Sequence, residues 1–242
     1  MIIIAAVLIS ITTPKELVIN AGSDIEVYVG DEFEVKAYGD GMTEAEAQSI
    51  VWTTDNNKLV TIENGVLEAS YDKNAFNTVN GDVSDDQECT YTTLINGTFE
   101  RGLRTWEGSA RVVVSLKPVD VKSGKLIKEP ADSRNSYIII EGSDNYSTYF
   151  YLESTSKSSN DLSFVIKKGD KATIYVPCDT YVIYEARGNT WYGSKILFGP
   201  QTSYCKDEGK YEFTSSNYWT FELDVADGNT GSDSLNSDDF PE

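Results

Sequence analysis

The feature that most constrains the fold of this chain is a repeated one-by-one alternation of apolar and polar residues in short stretches. In IEVYVGDEFEVKAYG, residues 25–39, every second residue is apolar on both sides of a Gly-Asp turn. A period of two places one side of a β-strand against a core and the other side in solvent. The pattern recurs in residues 49–69, where Asn64-Gly65 is typical of a tight hairpin turn, and in residues 109–116. We therefore expect the first half of the chain to consist of short strands.

The second half of the chain shows the same alternation. In residues 162–186 it runs through Ala172, Ile174 and Val176, and it resumes at Tyr181. About six or seven short strands, spaced by roughly ten residues, are typical of a β-sandwich. The sequence therefore predicts an all-β fold with two β-sandwich (Ig-like) domains in tandem, preceded by a short N-terminal apolar segment.

Changes in composition divide the chain into five segments. Residues 1–14 are predicted to be an apolar anchor or a signal remnant, and residues 15–116 the first sandwich. Residues 117–136 are polar and contain two prolines, which is typical of an interdomain linker. Residues 137–225 are predicted to form the second sandwich, and residues 226–242 an acidic tail without a basic residue.

The N-terminal segment indicates a cellular location. Its apolar run IIIAAVLISI, residues 2–11, is too short to span a bilayer alone, and no basic region precedes it. It is either the remainder of an export signal or membrane anchor, or a first buried strand. Because polar residues follow it directly, we expect an extracytoplasmic protein, secreted or anchored to a membrane through this segment.

Charge and histidine content exclude several classes of function. The chain has 39 acidic and 20 basic residues, a formal charge of -19, so it repels the phosphates of nucleic acids. Histidine is absent, which excludes a Ser-His-Asp triad, a Cys-His pair and any histidine-ligated metal. The acidic tail offers oxygen ligands, but it does not match a calcium-binding loop. We expect no cofactor and no bound metal.

The three cysteines, Cys89, Cys178 and Cys205, do not have the spacing of a zinc site. In an oxidising compartment, Cys178 and Cys205 could form a disulfide between strands. The alternative is three unpaired thiols, and the sequence leaves both interpretations open.

The first half carries motifs of a known family. VWTTDNNKLVTIENGVLEA, residues 51–69, follows an alternating strand and contains Trp52 in a strand and an Asn-Gly turn. This arrangement resembles the bacterial Ig-like domain, group 2, over residues 15–116. The resemblance implies that the tryptophan packs between two sheets. Residues 70–108 depart from the family pattern, because a long insertion replaces a short return, and they form either a further hairpin or a surface loop.

The second half carries the motifs WYG, FG, TSY and a closing strand with Trp-Thr. This set resembles a C-terminal domain of unknown function in exported or membrane-anchored proteins of Firmicutes, over residues 118–240. The resemblance implies an extracytoplasmic bacterial protein and no particular activity. Asp179 stands where that family has a glycine.

The stretch GNTWYGSKILFGP, residues 188–200, provides the candidate ligand-binding residues. Trp191, Tyr192 and Tyr204, together with Trp106 of the insertion, could present aromatic rings to a ligand at a loop end. The alternative, which we favour, is that rings such as Trp191 pack in the sandwich core as scaffold.

These features predict a non-enzymatic, cell-surface binding or spacer protein, with an Ig-like stalk and a β-sandwich interaction domain. Its partner is expected to be a cell-wall or surface glycan or protein, and the chain is expected to be a monomer. One alternative is a glycoside hydrolase that uses two carboxylates near an aromatic cleft, although no catalytic residue can be named. Another alternative is a purely structural subunit of an envelope assembly.

Overall fold

The structure is a computed structural model, and it describes residues 14–77, 89–223 and 232–241. Within these residues the chain is mostly β-strand and its strands form sheets that pack in layers, so the predicted all-β fold is confirmed. The predicted anchor, except for its last residue, lies outside the described residues. None of the described helices has the length and apolar character needed to cross a membrane.

The chain divides into two compact units, Met1–Lys117 and Pro118–Glu242. The strands of the first unit are β1 (Lys15–Ile19), β2 (Ile25–Tyr28), β3 (Glu32–Glu34), β4 (Ala37–Gly39), β5 (Val51–Thr54), β6 (Val60–Glu63), β7 (Val66–Ala69), β8 (Thr90–Arg101) and β9 (Arg104–Ser115). Its helices are α1 (Glu44–Ala47) and α2 (Lys73–Asn77), and a 3-10 turn covers Asn20–Gly22.

Two sheets form the first unit. The larger has the order β4-β1-β9-β8-β5, and β2 also pairs with β9, in parallel like β1. The smaller has the order β3-β7-β6. Fully buried side chains come from both sheets, for example Ile25 and Val112 from the larger and Leu67 from the smaller. Trp52 of β5 is half-buried.

The described part of the insertion belongs to the core of this unit. Residues 90–108 form β8 and the start of β9, a hairpin paired from Thr90 and Ser115 to its tip. The strand predicted at residues 109–116 therefore begins earlier, at Arg104. Gly108 allows β9 to lie directly beside β1, because a Cβ at position 108 would lie 1.9 Å from the carbonyl oxygen of Leu17 on β1. Residues 78–88 lie outside the described part of the insertion.

The strands of the second unit are β10 (Leu126–Lys128), β11 (Ser136–Glu141), β12 (Ser147–Ser154), β13 (Leu162–Ile166), β14 (Lys171–Val176), β15 (Thr180–Gly188), β16 (Ser203–Asp207), β17 (Tyr211–Glu212), β18 (Tyr218–Glu222) and β19 (Ser232–Ser234). Three 3-10 turns cover Ser158–Asn160, Gly199–Gln201 and Ser237–Asp239.

A seven-stranded and a three-stranded sheet form the second unit. The larger has the order β10-β13-β12-β15-β16-β19, and β17 also pairs with β15. The smaller has the order β14-β11-β18. The core between them contains Ile138 and Ile174 of the smaller sheet and Phe150, Phe164 and Ile183 of the larger sheet. Buried and more exposed residues alternate along β11 and β14, because only one side of the smaller sheet faces the core.

The larger sheet is also covered on its other face. A second cluster there contains Tyr149, Tyr184 and Ala186 of the strands, with Trp191 and Phe198 packed on them from the following loop. Trp191 stacks on Tyr149 with ring centroids 5.4 Å apart, and its ring meets that of Phe198 edge-on at 5.3 Å. The rings of residues 188–200 are therefore scaffold, but they cover the outside of a sheet and do not enter the core between two sheets.

Two segments that the composition indicated as linker and tail are part of the second unit. In the predicted linker, β10 pairs with β13, and the backbone N–H of Gly124 donates to the carbonyl of Val165 at 2.9 Å. In the predicted tail, β19 pairs with β16, and Phe240 packs in the second cluster. Residues 224–231 and 242 lie outside the described part. Polar strands at a sheet edge lack an apolar pattern, so composition alone does not identify them.

Asp179 connects two turns of the second unit through its carboxylate. Its carboxylate accepts hydrogen bonds from the hydroxyls of Ser154 and Ser156 and from the backbone N–H of Thr180, at 2.7–2.8 Å. Although partial burial raises the pKa of Asp179, these hydrogen bonds lower it below its ordinary value. Its φ is not positive, unlike that of a left-handed turn residue. The side chain thus joins two turns, which a glycine could not do.

Replacing Trp191 by Ala is expected to lower the free energy of unfolding of the second unit by about 3–5 kcal/mol, because a ring only 7% exposed leaves a cavity against Tyr149. Thermal and denaturant unfolding of the full chain measure this loss. The control Tyr175→Ala removes a ring that is 59% exposed and is expected to cost less than about 1 kcal/mol. Equal losses in the two variants would contradict the scaffold role.

Candidate functional site

Trp106, a predicted ligand residue, is fully buried in the first unit. Its indole N–H donates to the carbonyl of Asp40 at 3.2 Å, and its ring packs at 5.6 Å from that of Phe99. The cationic groups of Arg101 and Lys15 lie 5.0 and 5.5 Å from the ring centroid. With a satisfied donor and no exposed surface, Trp106 stabilises the fold and has no face to offer a ligand.

The other three predicted residues belong to the second unit. Trp191 and Tyr192 are 7% and 8% exposed, and Tyr204 is half-buried with its ring 5.2 Å from that of Phe240. The backbone N–H of Tyr192 donates to the carbonyl of Leu197 at 2.8 Å, which closes the loop. Trp191 and Tyr204 both pack in the second cluster, and Tyr192 is buried. The three residues therefore pack within the fold.

The loop approaches β15 closely at Gly188. A Cβ at this position would lie 2.3 Å from the Cβ of Phe198, so any larger residue would push the loop off the sheet. The requirement at Gly188 is space, because its φ is not positive. Gly188 therefore permits close packing of Phe198 and gives no access to a ligand.

Cys178 and Cys205 are both free thiols in the structure, as is Cys89. Cys178 is exposed, whereas Cys205 is buried in β16. The predicted Cys178–Cys205 disulfide is therefore not formed, and the alternative of unpaired thiols describes the structure. Burial raises the pKa of the Cys205 thiol to about 11.

Two buried carboxylates lie close to Cys205. Glu185, opposite Cys205 on β15, is bound by the Arg187 guanidinium at 2.6 Å, and Asp207 accepts from the hydroxyl of Tyr211 at 2.9 Å. Burial raises the pKa of both carboxyls above their ordinary values, although Arg187 lowers them. They are buried carboxyls with raised pKa values, which is one of the features that the glycosidase alternative requires.

Glu185 and Asp207 do not lie beside Trp191, where the glycosidase alternative would need them. Glu185 and Ile183 share the side of β15 that faces the core between the sheets, whereas Trp191 packs on Ala186 and the opposite side. Neither Glu185 nor Asp207 lines the cleft at Trp191. The carboxylates therefore lack the neighbouring sugar-binding surface that hydrolysis needs.

An exposed row of tyrosines lies on the outer side of the three-stranded sheet. Tyr137 of β11 is the register partner of Tyr175 on β14 and of Tyr218 on β18. Tyr175 and Tyr218 are 59% and 54% exposed, and Tyr137 between them is half-buried. We call this outer side of the sheet the tyrosine face.

Two further rows complete the tyrosine face. Beside the tyrosines, Ile139 lies between Thr173 and Thr220, and the last row is Lys171, Glu141 and Glu222. Lys171 forms a salt bridge with Glu141. The face thus changes from aromatic to charged over four residues along each strand.

The rings of the row are held in place by one another. Tyr137 and Tyr218 are stacked, with centroids 4.8 Å apart and an angle of 13° between their planes. Tyr175 is tilted by 59° to Tyr137 at 6.1 Å. Contact with neighbouring rings restricts the rotamers of all three, so little side-chain entropy remains to be lost on binding.

A groove continues the tyrosine face beyond its edge strand β14. It has a volume of about 480 Å³, and Tyr175 and Thr173 form one wall. Arg134 and Glu129, an ion pair at 3.2 Å, lie on the other side. Arginine and carboxylate groups next to an aromatic row supply hydrogen-bond donors and acceptors for a polar ligand.

Sequence reasoning missed the tyrosine face, although part of its signal is present. Tyr137 in SYIIIE and Tyr175 in KATIYV each occupy the side of the strand opposite the buried isoleucines. Alternation could have placed both outside the core. Their alignment with Tyr218 depends on a parallel pairing between strands about eighty residues apart, which no local pattern encodes.

The described residues contain no group of three or more histidine, cysteine, aspartate or glutamate side chains arranged to hold a metal ion. The Asp179 cluster with Ser154 and Ser156 is satisfied by hydroxyl and backbone donors. It therefore stabilises turns within the second unit.

Labelling with a maleimide is expected to modify Cys178 rapidly in the native protein and Cys205 only after unfolding. Cys178 is exposed, whereas Cys205 is buried and its raised pKa leaves little thiolate at neutral pH. Mass spectrometry of peptides after timed labelling measures both rates. Equal rates, or a bridged pair in unreduced protein, would contradict the structure.

The stability contributed by Glu185 is expected to fall as the pH rises. Because the folded state raises the pKa of Glu185 above 4.5, it binds the proton more tightly than the unfolded chain does. The contribution is complete below pH 4.5 and is lost as the pH rises through the raised pKa. The free energy of unfolding of the native protein, minus that of Glu185→Gln, should therefore decrease as the pH rises above 4.5.

Denaturant unfolding at each pH provides this difference. Glu212→Gln, which removes an exposed carboxyl of the same sheet, is the control and should give no comparable decrease. A difference that grows with pH for Glu185→Gln would show that the ion pair with Arg187 outweighs burial.

No family model matches this chain, and no curated protein shows significant similarity to it. The resemblances of its two halves to the bacterial Ig-like domain and to the Firmicutes C-terminal domain therefore stay predictions.

Proposed function

We propose that this protein is a non-enzymatic, extracytoplasmic binding protein of the bacterial cell surface that acts as a monomer. Its second unit binds a cell-wall or surface glycan on the tyrosine face, and its first unit is a bacterial Ig-like spacer. Residues 1–14 provide the export signal or the membrane anchor. The observation that supports this proposal most is the exposed row of Tyr175, Tyr137 and Tyr218 on one side of a sheet.

The chemistry of the row suits a sugar. A tyrosine combines an apolar ring, which packs against the C–H groups of a sugar, with a hydroxyl that donates and accepts hydrogen bonds. Thr173 and Thr220 add two hydroxyls one row away, and Lys171 adds an ammonium group. A glycan presents both kinds of partner, apolar C–H and polar hydroxyl, on each residue.

The dimensions of the row suit a chain more than a single sugar. From Tyr175 to Tyr218 the row crosses two strand spacings, or about 9–10 Å, and the groove with Arg134 extends it. A chain would therefore lie across the strands, with successive residues on successive rings. Because the rings are carried by paired strands, their spacing is rigid, which lowers the entropy cost of binding.

A glycoside hydrolase is the second candidate, and one observation favours it. Glu141 and Glu222 are register partners on neighbouring strands, so two carboxylates stand side by side near the tyrosine row. However, both lie on an open face and Lys171 is paired with Glu141, whereas a general acid needs burial to stay protonated at neutral pH. Hydrolysis of a bound glycan that is abolished by Glu141→Gln would establish this alternative.

Glycan binding is expected to depend on each tyrosine of the row. The full chain is screened on an array of bacterial cell-wall and surface glycans, and the affinity for a bound glycan is measured by titration calorimetry. Tyr137→Ala, Tyr175→Ala and Tyr218→Ala should each weaken binding about tenfold or more, since central aromatic contacts typically contribute over 1 kcal/mol.

Tyr38→Ala is the matched control, because Tyr38 is a 58% exposed tyrosine of the first unit. It should leave the affinity unchanged. The proposal is wrong if no glycan binds, or if binding survives all three substitutions in the row with the fold intact by circular dichroism.

A further inference from the structure

A second cleft lies on the opposite side of the second unit from the tyrosine face. It has a volume of about 590 Å³ and opens on the outer face of the seven-stranded sheet, at the edge of the second cluster. Its polar lining comes from four segments that are far apart in the sequence: Asp120, Ser147, Lys167, Lys168, Asn189 and Thr190. Trp191 provides an aromatic wall.

Backbone hydrogen bonds hold the walls of this cleft together. The N–H of Val119 donates to the carbonyl of Trp191 at 2.9 Å, which joins the first segment to the loop. The N–H of Lys168 donates to the hydroxyl of Ser147 at 3.1 Å. Trp191 itself is fixed by its stacking on Tyr149. The cleft is therefore formed before any ligand arrives.

The charge of the lining residues is opposite in sign to that of the whole protein. Two lysines, Lys167 and Lys168, line the cleft, and Asp120 is the one acidic residue of the lining. Asp120 pairs with Lys167 at 2.7 Å, whereas Lys168 is exposed and forms no salt bridge with any described residue. On a chain with a formal charge of -19, an unpaired lysine beside a cleft is a local site for an anion.

We propose that this cleft binds a phosphate ester of a sugar or polyol, with Lys168 binding the phosphate. The lysine ammonium is a compact point charge that commonly binds phosphate in proteins. Ser147, Asn189 and Thr190 bind the hydroxyl groups of the ligand, and Trp191 contacts its C–H groups. This site is independent of the proposed glycan binding, because it lies on the other face.

Substitutions of Asp120 and Lys168 are expected to change the affinity for the ligand in opposite directions. It neutralises Lys167 and repels the phosphate, so Asp120→Asn should bind the ligand several-fold more tightly than the native protein. Lys168→Gln should bind it about tenfold more weakly, since it removes a charge-assisted hydrogen bond. Both side chains are exposed, and neither substitution should alter the fold.

The experiment titrates the full chain with glycerol phosphate by calorimetry or NMR, with glycerol and inorganic phosphate as separate arms. Glycerol phosphate should bind saturably and more tightly than either component, and added salt should weaken it. Lys210→Gln is the control, because Lys210 is an exposed lysine of the same unit away from the cleft, and it should change nothing.

Three results would overturn the proposal. These are an absence of saturable binding of glycerol phosphate, an affinity unchanged by Lys168→Gln, or an affinity for inorganic phosphate alone equal to that for the ester. Tyr137→Ala in the tyrosine face should leave glycerol phosphate binding intact. Failure of this site therefore leaves the glycan proposal standing, and the reverse also holds.

Discussion

Burial of the seven-stranded sheet on both faces is the constraint on which the second unit depends. Its inner side packs on the three-stranded sheet, and its outer side is covered by the loop with Trp191 and by Phe240. The strand β12 is accordingly buried along almost its whole length. Antiparallel sheets commonly leave one side in water, so covering the second side requires large apolar groups from outside the strands.

That requirement separates the aromatic residues into two classes. Trp191 and Phe198 are used as cover, and their contacts with Tyr149 and Gly188 leave only a wall of one cleft exposed. The three-stranded sheet has no such cover among the described residues, and Tyr175 and Tyr218 stay in solvent. Exposed aromatic rings on rigid strands lose hydration favourably when a partner arrives, which is why the proposed function is assigned to that face.

Strand pairing explains why composition did not reveal the strands in three segments of the chain. The linker and the tail were inferred from polar composition, but β10 and β19 are edge strands, where backbone hydrogen bonds to β13 and β16 matter more than apolar side chains. For residues 70–108 the sequence predicted either a further hairpin or a surface loop. Residues 90–108 belong to the β8–β9 hairpin, and Gly108 allows β1 to lie directly against β9.

The amino-acid sequence by itself determined the strand content, the turn positions and the excess of acidic charge, because these depend on neighbouring residues and on composition. It also indicated that Trp191 is scaffold, since a large ring gains most from burial. Only the tertiary structure decided that Tyr137 stacks on Tyr218 and that Lys168 lines a cleft without a salt bridge to any residue that the structure describes. Those arrangements arise from strand register and from contacts between distant segments, and a local pattern carries no information about either.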